Sequence, residues 1–420
     1  MPVKIDSPPA RPVLSRTTMP RRLRVVLCTV IPILFVSGCS QTRSPVLERE
    51  SLFTLNYGKM EDQVELLMGD EAVTRKTSVS MRGGLILVAS GYGNRIMQFT
   101  SYGDLLTLFY NPDNNPEPVL VQTTVDPDRV TNRRAYDYRF NAVGEVAVTS
   151  TGDLLVEDRV PERAAILDPE LGVMLNRVVV LLDSDEDRVV YLGQEGIGGT
   201  FFPYIQHIDV TSRDEIVVVT TAVDRVLVFW FDADGTLLRR IEIENGSLPV
   251  PSGVTTTPVL GGVFPDRDLR RLYLKVDYAI DDDGTNGGRD DNQQMMARIY
   301  WIDIDDGEYE GFVDVPSVPP LAAANGSDNR RISNHYEFLG TASGEHLFLL
   351  AQRSRKESLL LILNTSGKVV RRRSLQIDYD EVVYRDFDLS ESGIITGLLA
   401  TRDDVEIVWW RTDRLFGGGR

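Results

Sequence analysis

The chain has 420 residues, 42% hydrophobic and 25% charged, which is enough apolar material for a large core. Residues 1–38 hold six basic side chains against Asp6 alone; removing that +5 from the net −17 leaves −17 − 5 = −22. A body that acidic is repelled by phosphate backbones and anionic head groups, which argues against nucleic acid as a partner. Both cysteines, Cys28 and Cys39, lie in the first 40 residues, so neither disulfides nor cysteine-bound metal hold the rest together.

Arg21, Arg22 and Arg24 precede the apolar run Val25–Val36, which ends in Val36-Ser37-Gly38-Cys39. A basic stretch, a short apolar stretch and small residues make a secretory signal, and the run is too short to span a bilayer. Val-Ser-Gly-Cys resembles the bacterial lipobox, which implies that Cys39 becomes an acylated first residue anchored in a membrane. Residues 1–38 are then the signal peptide, with Met19 an alternative start. Ser40 after the cysteine favours the outer membrane, and residues 39–50 read as the lipidated cysteine and a polar tether.

From residue 51 onward the chain reads as short β-type runs punctuated by turns. Ile205–Ile243 is the clearest block, with four runs at Ile208–Val210, Ile216–Thr220, Val226–Phe231 and Leu237–Ile243. Four consecutive antiparallel strands of this size make one propeller blade. A strand–turn–strand unit built on Ser or Thr with Gly recurs at Ser80–Val88, Val146–Val156, Phe338–Phe348 and Phe387–Ile395. A third strand, often introduced by an arginine (Arg95, Arg177, Arg225, Arg298), supplies six apolar anchors: Ile96, Val178, Val226, Ile299, Leu360 and Ile407. The expected fold is all-β, a β-propeller of about six four-stranded blades over residues 51–420. Leu52–Leu55 and Val405–Phe416 are the candidates for closing the ring, because closure removes exposed sheet edges. Asn111–Pro118, Asp126–Arg134, Pro251–Pro265, Asp281–Asn292 and Val315–Arg330 read as loop insertions, and Glu61–Leu67 as one or two helical turns.

Gly58–Leu66, Gly84–Ile96 and Phe99–Leu106 resemble a family of spirochaetal surface-type lipoproteins. The resemblance implies an NHL-like or WD40-like propeller and carries no catalytic residue to any position here.

The residues show little chemistry. His207, His335 and His346 lack the spacing of a zinc site, and Gly193–Gly199 precedes no helix and reads as a turn. The four arginines read as pins for turns, as in Asp224-Arg225, rather than as an anion-binding ring. Trp409-Trp410 places one ring in the core and the other outward. The acidic loop with Asp281, Asp283 and Asn286 is the nearest approach to a calcium site, but its register departs from that of an EF-hand and no other cofactor is indicated. The expected function is a membrane-anchored, non-catalytic binding or structural scaffold of the cell envelope, meeting a protein or glycan partner through loops on one rim. The alternative is a metal-dependent propeller hydrolase of the lactonase kind, using strand carboxylates such as Asp209 and Asp388. An envelope-assembly factor is a third reading.

Overall fold

The structure is a computed structural model that describes residues 44–66, 75–119, 121, 133–182, 189–253, 255–280, 295–319 and 335–416. Among these, six blades follow one another along the chain, each built on four antiparallel strands; Arg134–Asp137 adds in parallel to the edge of blade one, and Ile166–Asp168 and Val173–Leu175 form a separate two-stranded sheet. The first strands of the blades are Thr77–Arg82, Val146–Val148, Tyr204–Val210, Thr256–Pro265, Glu337–Ala342 and Tyr384–Leu389. These six first strands ring the axis, each blade's lying beside those of its neighbours.

Blade three consists of Tyr204–Val210, Ile216–Thr221, Arg225–Phe231 and Leu237–Glu244, matching the four runs read from sequence. The six anchors fall one per blade, all on third strands: Arg95–Thr100, Arg177–Leu182, Arg225–Phe231, Met295–Asp303, Glu357–Asn364 and Asp404–Trp410. Blade six takes its fourth strand, Glu50–Asn56, from the other end of the chain; it pairs antiparallel with Asp404–Trp410, Leu55 opposite Val405. The ring closes where the sequence placed the closure.

A propeller blade is covered on both faces, so its middle strands need apolar residues at every position. Blade five shows how the period-2 alternation divides them. Leu347, Leu349, Leu359, Leu361 and Leu363 pack towards blade four, whereas Phe348, Leu350, Leu360 and Ile362 pack towards blade six. Among the described residues there are six such clusters, one in each seam between adjacent blades.

Three local expectations fail. Pro251–Pro265 is not a loop insertion throughout: Thr256–Pro265 is the first strand of blade four. It pairs on one side only, with Arg271–Ile280, so Pro258 and Pro265 cost no ladder hydrogen bond on the axis side, and a bulge at Leu260–Gly262 absorbs the glycines. Residues 61–66 form a turn and an isolated bridge between Tyr57 and Val64, not a helix. Val46–Leu47, within the expected tether, adds as a parallel strand to Val369–Gln376 at the outer edge of blade five.

Candidate functional site

Each first strand turns tightly into the second, and all six of these turns lie on one face around the axis. Gly83 and Gly84 make the turn in blade one at φ of 60° and 83°, the left-handed region where a side chain is strained. Neighbouring turns are bonded to one another all round. Arg82 of blade one donates to the Val148 carbonyl of blade two at 2.9 Å. In blade two, the Ser150 amide donates to Asp214 of blade three at 2.8 Å, and the Ser150 hydroxyl meets the same carboxylate. The Ser212 amide reaches the Arg267 carbonyl of blade four at 2.8 Å. Asp268 accepts from the Gly344 amide of blade five at 3.2 Å, and the Ser343 amide donates to the Glu391 carbonyl of blade six at 2.9 Å. Arg82 completes the circuit, 3.9 Å from the Glu391 carboxylate.

Inside this collar opens a cavity of about 740 Å³. Its walls are largely apolar, from Met81, Val148, Ile208, Val210, Leu389 and Ile394. Its charged groups are Arg82, Asp209, Arg267, Asp388 and Glu391, with serines at the rim.

Arg267 follows the first strand of blade four and crosses the axis. Its guanidinium donates to the carbonyls of Val210, Thr341 and Leu389, in blades three, five and six, at 3.0, 3.2 and 3.0 Å. It also pairs with Asp209 at 3.1 Å. The second Asp209 oxygen meets His207 Nδ1 at 2.6 Å, while His207 Nε2 faces the Val263 carbonyl at 2.8 Å. Both ring nitrogens thus face oxygen atoms, one from its own strand and one from the first strand of blade four. Burial by itself would raise the Asp209 carboxyl; the charges of His207 and Arg267 outweigh it and hold Asp209 below its ordinary value.

Blade six contributes three alternate side chains from its first strand to the open edge of blade one. Tyr384 exchanges hydrogen bonds with the Thr77 backbone, Asp386 accepts the Val79 amide at 2.8 Å, and Asp388 accepts the Met81 amide at 3.0 Å. Burial pushes the Asp388 carboxyl up to about 7, against the opposing charge of Arg267, and the charges of Asp209 and Glu145 add to the rise. Asp386 is raised well above its ordinary value by burial, then by Glu145 and Asp388.

Deeper along the axis, Lys76 Nζ joins Glu145 at 3.1 Å, Glu157 at 3.0 Å and the Ile205 carbonyl at 2.5 Å. Burial opposes its charge, but the two carboxylates outweigh burial and hold the ammonium above its ordinary range. One ammonium serves two acids, and burial leaves Glu145 raised.

The sequence singled out Asp209 and Asp388 separately; the fold brings both into this cavity. Cys39, Asp281, Asp283 and Asn286 lie outside the described residues. The four arginines of the third strands form no ring. Arg95 is buried against the carbonyls of Gly58, Lys59 and Gln63, and Arg225 pairs with Asp224 and Glu242. Arg177 lies 3.4 Å from Glu157 and Arg298 2.7 Å from Asp314. His346 packs on Phe416, away from the cavity. Sequence reasoning missed Arg267, Asp386, Glu145 and Lys76. Alternation of polar residues in Tyr384-Arg385-Asp386-Phe387-Asp388 was the available signal; Arg267 lay just past a segment read as loop. Among the described residues no group of three or more His, Cys, Asp or Glu side chains is arranged to hold a metal ion.

No protein-family model and no curated protein matches the chain. Among solved structures it is similar to a streptogramin B lyase, at 12% identity and a TM-score of 0.35, covering 85% of this chain and 96% of that one. It is also similar to the Kuenenia stuttgartiensis hydrazine synthase, at 11% identity and 0.40, covering 79% and 82%. A third is the β-propeller domain of Myceliophteria thermophila Cps50 (Swd1), at 12% and 0.34, covering 80% and 82%. These likenesses concern the fold alone, and the β-propeller assignment of this chain rests on its own strand pairing.

Proposed function

We propose that this protein is a lipid-anchored binding propeller of the bacterial cell envelope, held in the membrane through Cys39 and receiving its ligand in the axial cavity. The observation that carries the binding half of this reading is the collar: every blade's first turn is bonded to the next around a cavity of about 740 Å³. A preformed concave site with apolar walls and a few placed polar groups is what ligand binding uses, because little ordering cost remains at binding. The anchoring half is supported by Val36-Ser37-Gly38-Cys39 behind a basic-apolar leader, and by the resemblance to spirochaetal surface-type lipoproteins. Fourth strands end at Tyr110, Glu244 and Val315 on the face opposite the cavity, and the connections that follow them are the segments we assign to an envelope protein or glycan.

Ser392 supplies the test, since it is exposed and stands at the rim of the cavity. Ser392→Trp is expected to leave the melting temperature within about 1 °C, as surface changes do, while weakening any specific ligand found by thermal-shift screening at least tenfold. A ligand whose affinity ignores this block binds elsewhere, and the cavity reading then fails.

One observation favours a second reading, a hydrolase. Asp209, held ionised, and Asp388, near 7, share the cavity, and divergent carboxyl pairs serve as base and acid in hydrolytic sites. A turnover activity abolished by Asp388→Asn or Asp209→Asn would establish it over the binding reading. A metal-dependent form adds the requirement that chelation removes that activity.

A further inference from the structure

We propose that the axial cavity binds an organic cation, an ammonium or guanidinium head on an apolar stem, with Asp388 as its counter-ion. This rests on the reading of the cavity as a ligand site and names the ligand's chemistry.

The charges lining the cavity are two positive, Arg82 and Arg267, and three negative, Asp209, Asp388 and Glu391, so 2 − 3 = −1 when all are ionised. Both cations are already engaged. Arg267 is spent on Asp209 and on three carbonyls, and Arg82 lies 3.3 Å from Asp214 and 3.9 Å from Glu391. Asp388 is the remaining acid. One of its oxygens accepts the Met81 amide, and among the described residues it has no ion pair. The other charges that bear on it are Asp209, Asp386 and Glu145, all of the same sign, and the committed Arg267. A carboxylate partly withdrawn from water without a counter-charge is costly, so such a group takes up either a proton or a cation.

Size and donors select the kind of cation. A hard metal ion needs several oxygen ligands, and the described residues gather no group of three acids or histidines. About 740 Å³ is far more space than an ion fills, and the walls of Met81, Val148, Ile208, Val210, Leu389 and Ile394 suit a hydrocarbon stem. An anion would find both arginines occupied, and a neutral ligand would leave Asp388 unpaired. The net charge of −17 draws cations towards the molecule.

Binding of such a cation competes with the proton on Asp388. With that carboxyl near 7, the affinity rises about tenfold from pH 6 to pH 8.

The test is isothermal titration of the full chain with hexylammonium, hexanol and hexanoate at pH 6 and pH 8. A lysine-containing peptide and its norleucine counterpart are run beside them. Hexylammonium is expected to bind at least tenfold tighter than hexanol at pH 8, to weaken at pH 6, and to lose that preference in Asp388→Asn, which keeps an acceptor for the Met81 amide. Preference for the lysine peptide over the norleucine one assigns the cation to a partner's side chain; hexylammonium binding without that preference assigns it to a free amine. If hexanol or hexanoate binds as tightly as hexylammonium and is blocked by Ser392→Trp, the cation inference is overturned while the cavity reading stands. If none of the probes binds, the inference is likewise overturned. Binding that Ser392→Trp does not touch overturns the cavity reading itself. The comparison of charged with neutral probes on the wild type stands whether or not the variant folds.

Discussion

The Asp388 carboxylate of blade six accepts the backbone amide of Met81 in blade one at 3.0 Å, across 307 positions of sequence. Asp386 does the same for Val79. The first strand of a blade is a sheet edge with unpaired amides. Here the neighbouring blade's carboxylates satisfy that edge at the seam where the ring begins. Burial at this seam raises the Asp388 carboxyl against the opposing Met81 hydrogen bond, and the seam also puts it at the cavity, so the support of the ring and the chemistry of the site share residues.

Stability is expected to reflect those carboxyls. A folded-state pKa above the unfolded value means that the native state holds a proton the unfolded chain has lost. Stability from Asp388 is therefore present below about pH 4 and lost as pH rises towards 7. The steepest slope from one group is about 1.4 kcal/mol per pH unit. Asp209, whose pKa is lowered, has the opposite slope, so the comparison is made by difference. Urea unfolding from pH 4 to 8 should show Asp388→Asn gaining on the wild type as pH increases. Parallel profiles would contradict the assignment.

Arg267→Met removes the group that ties blades three, five and six across the axis and leaves Asp209 with His207 alone. Deleting one partner of a buried ion pair costs about 3–5 kcal/mol. Chemical denaturation should show a loss of that size, and a loss below about 0.5 kcal/mol, the range of surface changes, would mean the guanidinium supports nothing.

The two adjacent tryptophans of the closing pair should differ sharply. Trp410 is fully buried between blades five and six, and Trp410→Ala should cost about 3–5 kcal/mol. Trp409 is partly exposed and donates to Glu50 on the closing strand at 2.8 Å, so Trp409→Phe should cost about 1 kcal/mol. Equal losses in thermal or urea unfolding would refute the burial difference.

Cys39→Ser should move the protein from the detergent phase to the aqueous phase and abolish fatty-acid labelling. Each buried methylene of an acyl chain contributes about 0.8 kcal/mol, so two or three chains anchor stably and none does not. Unaltered partitioning, with no label on the wild type, would remove the anchor.

Much of the architecture was legible because blades are local: Ile216–Thr221 and Arg225–Phe231 pair across a turn of three residues, and the apolar anchors mark third strands by pattern alone. Even the closing pair was legible, since an unpaired end strand needs a partner. Thr256–Pro265 was misread because prolines and glycines signal loops unless the strand is an edge, and edge position is a property of the sheet.

The sequence by itself determined the alternation that splits each middle strand between two seams, hence the all-β class, the blade count and the acidic surface. Only the tertiary structure decided the site. Asp209, Arg267 and Asp388 come from blades three, four and six and meet because the first strands converge on the axis. A turn pattern reports bonds between near neighbours in the chain. Which charge is answered by Arg267 and which is left to a ligand depends on distances between residues that only ring closure brings together.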